Sequence, residues 1–406
     1  MWQMSRRWRA GMKDGRMEGR KCYTLPVGPQ HPLYVEAENL MVHVDGETIA
    51  DVELNIGYMH RGIEEMMQRR NYIQNIYLAE RICGICSAIH SVTYCRSIEN
   101  LLGLEIPDRA RFIRTILLEL ERLHSHLLFL GVMGYEMGLD TIFQNTWKDR
   151  EFVMDMLEDI SGNRVNYALP TIGGVRRDIG DEKKQNVLKM IPYLEKRFRY
   201  YLDVFTSDRT ICKRMKGIGM LPKKDANSLS IQGPVLRSSG VNYDVRWHAP
   251  YEAYPEIRDW NVIVEDGGDV YARVIQKIKE MSEATVVLRH ALRSMPKGDI
   301  RTKAPMTIPG NEGLSLTEAP RGELLYYARS NGTDTPERMR IRTPSFSNML
   351  CLPVILKEQK LADLPVIVGS IDPCFSCTDR VTLIDVNSGE QKNVTEGYIK
   401  KLGEKQ

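Results

Sequence analysis

Apolar positions recur at two periods along this chain of 406 residues. Phe112, Ile116, Leu120, Leu123, Leu127 and Leu130 follow at steps of three and four, which puts them on one face of a helix. Pro107 and Asp108 suit its start, and Gly131, Gly134 and Gly138 are expected to loosen its end. Further helices are predicted over residues 141–160, stopped by Ser161-Gly162-Asn163, over about 181–203, and over 269–295. In the last of these, Val270, Val274, Ile278, Met281, Leu288, Leu292 and Met295 share one side. Shorter apolar segments, 40–44 and 48–55, flank Asp45-Gly46 and predict a β-hairpin. Segments 365–371 and 381–386 read as β. Residues 169–180 read as a glycine-rich link, and 215–268, rich in Gly, Pro and polar side chains, as loops with short elements. The fold class is α+β: a mainly helical body with small β elements at the N- and C-terminal ends.

Composition narrows the classes. An apolar fraction of 42% and a formal net charge of +3 fit a globular chain without a strong field of either sign. The basic cluster, Arg6, Arg7, Arg9, Lys13, Arg16, Arg20 and Lys21 against Asp14 and Glu18, is confined to the start, which argues against a nucleic-acid partner. It lacks the apolar stretch of a secretory signal. Residues 1–22 are therefore read as a disordered basic leader, 23–380 as one domain and 381–406 as a C-terminal extension. The longest apolar runs are far too short to span a bilayer.

The eight cysteines change the picture. With no export signal they do not suggest a disulfide framework, and four of them form two C-x-x-C pairs: Cys83 with Cys86, and Cys374 with Cys377. Two intervening residues let both sulfurs reach one ion, and thiolates select zinc, iron–sulfur clusters or nickel and iron over hard cations. Spacing alone fits structural zinc, a four-cysteine cluster, another soft-metal centre or, for one pair, a redox dithiol. Zinc pairs generally lie closer together in sequence. A ligand set split across almost the whole chain suits a cavity that only the complete fold assembles. Cys22, Cys95, Cys212 and Cys351 have no partner at metal spacing and read as core or surface thiols.

The residues around the pairs carry a resemblance. Arg81-Ile82-Cys83-Gly84-Ile85-Cys86 with His90, and Asp372-Pro373-Cys374-Phe375-Ser376-Cys377 near the C-terminus, resemble the two signature motifs of nickel–iron hydrogenase large subunits. Gly28-Pro29-Gln30-His31-Pro32, His60-Arg61-Gly62-Ile63-Glu64, Glu119-Leu120-Glu121-Arg122 and Gly173-Gly174-Val175-Arg176-Arg177-Asp178 are similar to segments that membrane-bound, energy-converting hydrogenases share with the quinone-site subunit of respiratory complex I. Glu318-Ala319-Pro320-Arg321-Gly322-Glu323 resembles the arginine-bearing loop over the hydrogenase centre. Complex I subunits have lost the nickel ligands, and this chain keeps all four cysteines. An electron-transfer subunit without hydrogen chemistry is the second reading. A structural zinc scaffold, told apart by metal identity, is the third.

The resemblance implies a nickel–iron centre, its iron holding carbon monoxide and cyanide. Cys83 and Cys374 would be terminal nickel ligands, and Cys86 and Cys377 would bridge the metals. It implies that the Cys374 thiolate is the base in dihydrogen heterolysis, that Arg321 and Pro320 lie over the open position, that Asp372 pairs with Arg321, and that His90 hydrogen-bonds a bridging sulfur. Many relatives carry protons on a glutamate near the start of the chain. The expected position holds Val35, which leaves Glu36 as the candidate. His60, Arg61 and Glu64 are expected either to face a small iron–sulfur subunit or to form an internal salt-bridged helix start. Implied partners are that small subunit with its cluster, ion-translocating membrane subunits, a ferredoxin or formate dehydrogenase module, and a maturation protease that removes 381–406 after Arg380. The implied location is peripheral, on the cytoplasmic face of the membrane.

Overall fold

The computed structural model describes residues 16–17, 20–34, 36–378, 383–384 and 391–392. The expected leader and C-terminal extension therefore fall almost entirely outside the described residues. Within them, Arg16–Met17 pairs with Arg20–Lys21 and Leu383–Ile384 with Gln391–Lys392.

Near the N-terminus, Tyr23–Val27 (β1), Asn39–Asp45 (β2) and Thr48–Asn55 (β3) form an antiparallel meander. The predicted hairpin is its second half. Asp45 pairs with Thr48 around Gly46, whose φ of 63° suits the tight connection. Leu40, Val42 and Val44 alternate onto the buried face. The partner strand β1 is mostly exposed and carries no alternating signature.

Four long helices make the body. Asp108–Glu136 (α4) follows Ile63–Gln68 (α1), Tyr72–Glu80 (α2) and Ser87–Leu102 (α3), and is followed by Asp140–Ser161 (α5), Asp181–Ser207 (α6) and Val270–Ser294 (α7). The predicted α4 stripe is buried along its whole length. Its glycines do not loosen it, as the sequence suggested: Gly131 and Gly134 lie inside the helix. A Cβ on Gly131 would come within 2.7 Å of Trp147, and one on Gly134 within 3.1 Å of Ile142, both on α5. Small residues here let two helices approach closely. Gly162 ends α5 in the left-handed conformation, as its position predicted.

The segment between α6 and α7 holds short helices at Arg209–Met215, Lys223–Ser228, Gly233–Arg237 and Val245–His248. Buried ion pairs fasten it to the bundle. Arg246 reaches Glu119 at 3.1 Å and Asp244 at 2.8 Å, and Arg237 reaches Glu280 at 2.8 Å and Glu318 at 2.7 Å. From α4, Arg114 holds Glu99 at 2.6 Å and Glu252 at 3.1 Å.

After α7, Glu312–Ala319 (β4), Gly322–Ser330 (β5) and Pro336–Arg342 (β6) form a second antiparallel meander packed on α3. The C-terminal β reading needs correction at 365–371. Leu364–Ser370 (α8) is a helix, with proline in its first turn and apolar residues buried. Its β-branched run reads as a strand, but so short a run has no period to decide between the two. Helix α8 packs on α4 and α7 and delivers the second cysteine pair to the first.

Candidate metal centre

The first pair lies in the loop from α2 to α3, with Cys86 at the N-terminal end of α3. The second follows α8, where Cys374 precedes a short 3-10 turn, Phe375–Cys377. The fold brings the two ends of the chain together there. Sγ of Cys83 lies 3.2 Å from that of Cys374, Cys374 is 3.3 Å from Cys377, and Cys86 is 4.0 Å from Cys377. The sulfurs of Cys83, Cys86 and Cys377 all lie within 4.8 Å of one another, a spacing that suits metal ligation. None of the four cysteines is more than 5% exposed.

Arg61 stitches the pairs together. Its guanidinium donates to the carbonyls of Arg81 at 2.9 Å and Ile82 at 2.7 Å, just before Cys83, and to that of Ser376 at 3.1 Å, just before Cys377. Of the two expectations for the 60–64 segment, this favours an internal role for Arg61. Glu64 likewise accepts from the Ile341 amide at 2.9 Å and from Arg340 at 3.0 Å.

Hydrogen bonding among the sulfurs differentiates them. With Cys374, Cys377 and Cys86 as partners, the Cys83 thiol is held well below the ordinary range. The same bonding, led by Cys374, pushes Cys377 and Cys86 well up. His90 lies one turn into α3, its Nε2 3.6 Å from Cys377 Sγ and its Nδ1 2.8 Å from the Tyr326 hydroxyl. Burial lowers its pKa to about 4, so the ring is neutral at pH 7. If Tyr326 donates to Nδ1, the Nε2–H points at the sulfur.

Arg321 sits between β4 and β5. Its Nη2 donates to Asp372 Oδ1 at 2.7 Å, and its Nε to the Asp372 carbonyl at 2.7 Å. Burial opposes its charge, but Asp372 and the cysteine sulfurs outweigh that penalty and raise its pKa well above the ordinary guanidinium value. A small cavity of about 10 Å³ adjoins Cys86 and Cys377 and is lined by His90, Ala319, Pro320 and Arg321. Arg321 and Asp372 are thus paired, and Pro320 lies beside the cluster. Glu36 also reaches the site: its carboxylate accepts from the Ser376 amide at 2.7 Å and from the Ser376 hydroxyl.

Two buried groups at the site were not foreseen. Lys277 on α7 pairs with the other oxygen of Asp372. Its signal was its position: with Val270, Val274, Met281 and Leu288 it falls on the core-facing stripe of α7. Glu121 on α4 caps the start of α3, accepting from the amides of Ala88 at 2.6 Å and Ile89 at 2.9 Å. Burial pushes its pKa up to about 8.

These features define a class: a helical subunit folded around a buried four-thiol cluster with a paired arginine beside it. Comparison with known proteins agrees. The family described as "Respiratory-chain NADH dehydrogenase, 49 Kd subunit" matches residues 136–311 and 302–380, which include the second cysteine pair. "Nickel-dependent hydrogenase" matches residues 61–134, which include the first. The membrane-bound hydrogenase subunit alpha of Pyrococcus furiosus is 44% identical over 93% of this chain and 92% of its own. The carbon monoxide-induced hydrogenase of Rhodospirillum rubrum is 38% identical over 88% of this chain and 99% of its own. Among solved structures, a chain of the membrane-bound sulfane sulfur reductase, an archaeal respiratory membrane complex, superposes with a TM-score of 0.85 at 32% identity, covering 88% of this chain and 98% of that one. The chain belongs to the family that unites the large subunits of membrane-bound nickel–iron hydrogenases with the 49-kDa subunit of respiratory NADH dehydrogenase.

The site suits the metal group that this family implies. Four buried thiols are a soft, electron-rich donor set, with the neutral histidine 3.6 Å from one of them and the arginine lining the cavity beside them. Among the described residues no helix is long and apolar enough to cross a membrane.

Proposed function

We propose that this chain is the catalytic large subunit of a multisubunit nickel–iron hydrogenase, which splits dihydrogen reversibly into protons and electrons. The observation that carries the reading is the meeting of the four thiols from opposite ends of the chain beside Arg321. Cys83, Cys86, Cys374 and Cys377 would hold the centre. When bound, a nickel–iron group with carbon monoxide and cyanide on its iron supplies the Lewis acid and the electron sink for the reaction.

The chain's own residues supply the rest. The buried site keeps bulk water from the sulfurs. With the centre bound, Cys374 Sγ would be a thiolate and would take one proton of the dihydrogen. Arg321 offers a fixed positive charge that does not itself titrate. With Tyr326 donating to Nδ1, His90 would orient the Cys377 sulfur through Nε2–H. Glu36, hydrogen-bonded to Ser376 between the cysteines of the second pair, would carry the proton outward. Electrons pass to an iron–sulfur cluster in a small partner subunit and on to a ferredoxin-type or formate dehydrogenase module. Membrane subunits hold the chain at the cytoplasmic face and translocate ions. Residues 381–406 are read as a tail that a maturation protease removes after Arg380. A mature chain whose intact mass still includes Lys405 and Gln406 overturns that last point.

The long match to the 49-kDa family favours a second reading, electron transfer without hydrogen chemistry. It gives the four clustered thiols no task. Isotope exchange separates the two readings. The anaerobically purified complex, supplied with deuterium gas and no electron acceptor, is expected to release hydrogen deuteride into the gas phase, and Cys374→Ser to abolish this. Absence of exchange in the mature wild-type complex overturns the hydrogenase reading.

A further inference from the structure

We infer that Lys277 is a positioning residue of the centre: by taking one oxygen of Asp372, it fixes the carboxylate whose other oxygen aims Arg321 at the thiol cluster. The inference rests on the hydrogenase reading above and extends it to a residue on a different helix.

The geometry divides one carboxylate between two cations. Oδ1 of Asp372 accepts from Arg321 Nη2 at 2.7 Å, and Oδ2 accepts from Lys277 Nζ. Asp372 takes up a left-handed backbone conformation, with φ of 53°, and its own carbonyl accepts from Arg321 Nε. Arg321 thus grips both the backbone and the side chain of one residue, and Lys277 holds that side chain from the far side. Among the described residues, the remaining arm of the guanidinium, Nη1, makes one long contact, 3.5 Å to Ser125 Oγ. Loss of Lys277 would leave Asp372 held on one side only, free to rotate and to carry Arg321 with it.

Fold stability does not explain a lysine here. Lys277 is 1% exposed, with Nζ 4.2 Å from the centre of the Phe129 ring. A methionine of similar length would fill that space without the penalty of burying an ammonium, and apolar replacements of buried ion pairs are often neutral or stabilising. Asp372 is the hydrogen-bonded acceptor of the ammonium, and Glu280, one turn along α7, adds a favourable charge. The charge balance points the same way. An isolated Arg321–Asp372 pair is neutral as a unit. With Lys277 it carries one net positive charge beside sulfurs that become anionic when they bind metal.

The test uses the whole complex, purified anaerobically from its host as wild type, Lys277→Met and Lys277→Arg. Nickel content, the infrared bands of the iron's carbon monoxide and cyanide, and hydrogen turnover are measured on each. The expected result is full nickel in all three. In Lys277→Met the carbon monoxide band moves to lower wavenumber, since loss of a positive charge leaves the iron more electron-rich, and turnover falls roughly 10–100-fold. Lys277→Arg, which restores the charge, recovers the band position and most of the turnover. A methionine variant with nickel, unshifted bands and wild-type turnover overturns the inference alone. If that variant fails to assemble, Lys277→Gln and Lys277→Leu decide: glutamine, which can keep a hydrogen bond to Asp372, should retain most of the turnover, leucine, which cannot, should lose it, and equal turnover in the two overturns the inference. A mature wild-type complex without nickel overturns the hydrogenase reading, and this inference with it.

Discussion

Replacing Gly322 by alanine is expected to damage both the fold and the reaction, because two stretches of backbone touch beside Arg321. Gly322 has a φ of 130°, outside the regions open to residues with a Cβ. A Cβ there would lie 2.7 Å from the amide nitrogen of Gly233 and 2.8 Å from the carbonyl carbon of Gln232. Neither is a side-chain tip that can swing away. Asn348 clamps the crossing, accepting from the Gln232 amide at 2.8 Å and donating to the Arg321 carbonyl at 3.2 Å. Strain at such a conformation costs about 1–3 kcal/mol, and overpacking against fixed neighbours about 1–3 kcal/mol more. The sum, roughly 2–6 kcal/mol, is a large part of the about 5–15 kcal/mol that holds a typical domain folded. Any relief by backbone movement displaces Arg321, and a misplacement of about 1 Å at a reacting centre is worth on the order of 100-fold in rate. Thermal unfolding and hydrogen turnover of the Gly322→Ala complex measure both effects. An unchanged unfolding temperature together with unchanged turnover would refute the reasoning.

Three further predictions concern the interior. Arg114→Met leaves Glu99 and Glu252 buried without their shared cation and should cost about 3–5 kcal/mol in denaturant unfolding; a loss below about 1 kcal/mol contradicts it. Burial pushes the Glu80 carboxyl up to about 7, with Oε1 accepting from the Ala168 amide and Arg81 and Arg176 only partly offsetting the shift. Between the unfolded carboxyl's value of about 4.3 and about 7, the unfolded chain releases a proton that the folded chain keeps, so stability falls as pH rises through that window. Glu80→Gln should flatten this fall, seen as a smaller difference in unfolding midpoint between acid and alkaline buffer; parallel curves for variant and wild type contradict it. Cys83→Ser replaces a soft donor by a hard one and should abolish nickel retention, and a nickel-replete variant would remove Cys83 from the ligand set.

How much of this was legible depended on whether a local rule sufficed. Asp45-Gly46 with its alternating flanks announced the hairpin, and the α4 stripe announced the longest helix. The four cysteines announced themselves by spacing, and their neighbours Arg321, Asp372 and His90 by resemblance. What was lost depended on long-range contact. The β1 strand pairs through its backbone while its side chains stay mostly exposed, so no alternation marks it. The strands flanking Arg321-Gly322 do alternate, with Leu324, Tyr326 and Ala328 buried, but the helix they pack on, α3, lies more than 200 residues earlier in the chain. Gly131 and Gly134 looked like breakers because their partner helix is invisible in a single segment. The Arg61 bridge links carbonyls hundreds of residues apart in sequence, which no spacing rule predicts. Lys277 is the instructive case: a lysine and a glutamate, Glu280, on the inward side of an apolar helix were a readable anomaly, and their partners were not.

The central claim is that the four cysteines hold nickel and iron, and one measurement addresses it most directly. The complex, purified anaerobically from its native host with its mature chain verified by mass, is analysed for metals and examined by infrared spectroscopy. Nickel stoichiometric with the chain is expected, together with bands in the carbon monoxide and cyanide stretching region. Zinc alone without those bands, or no metal at all, would contradict it.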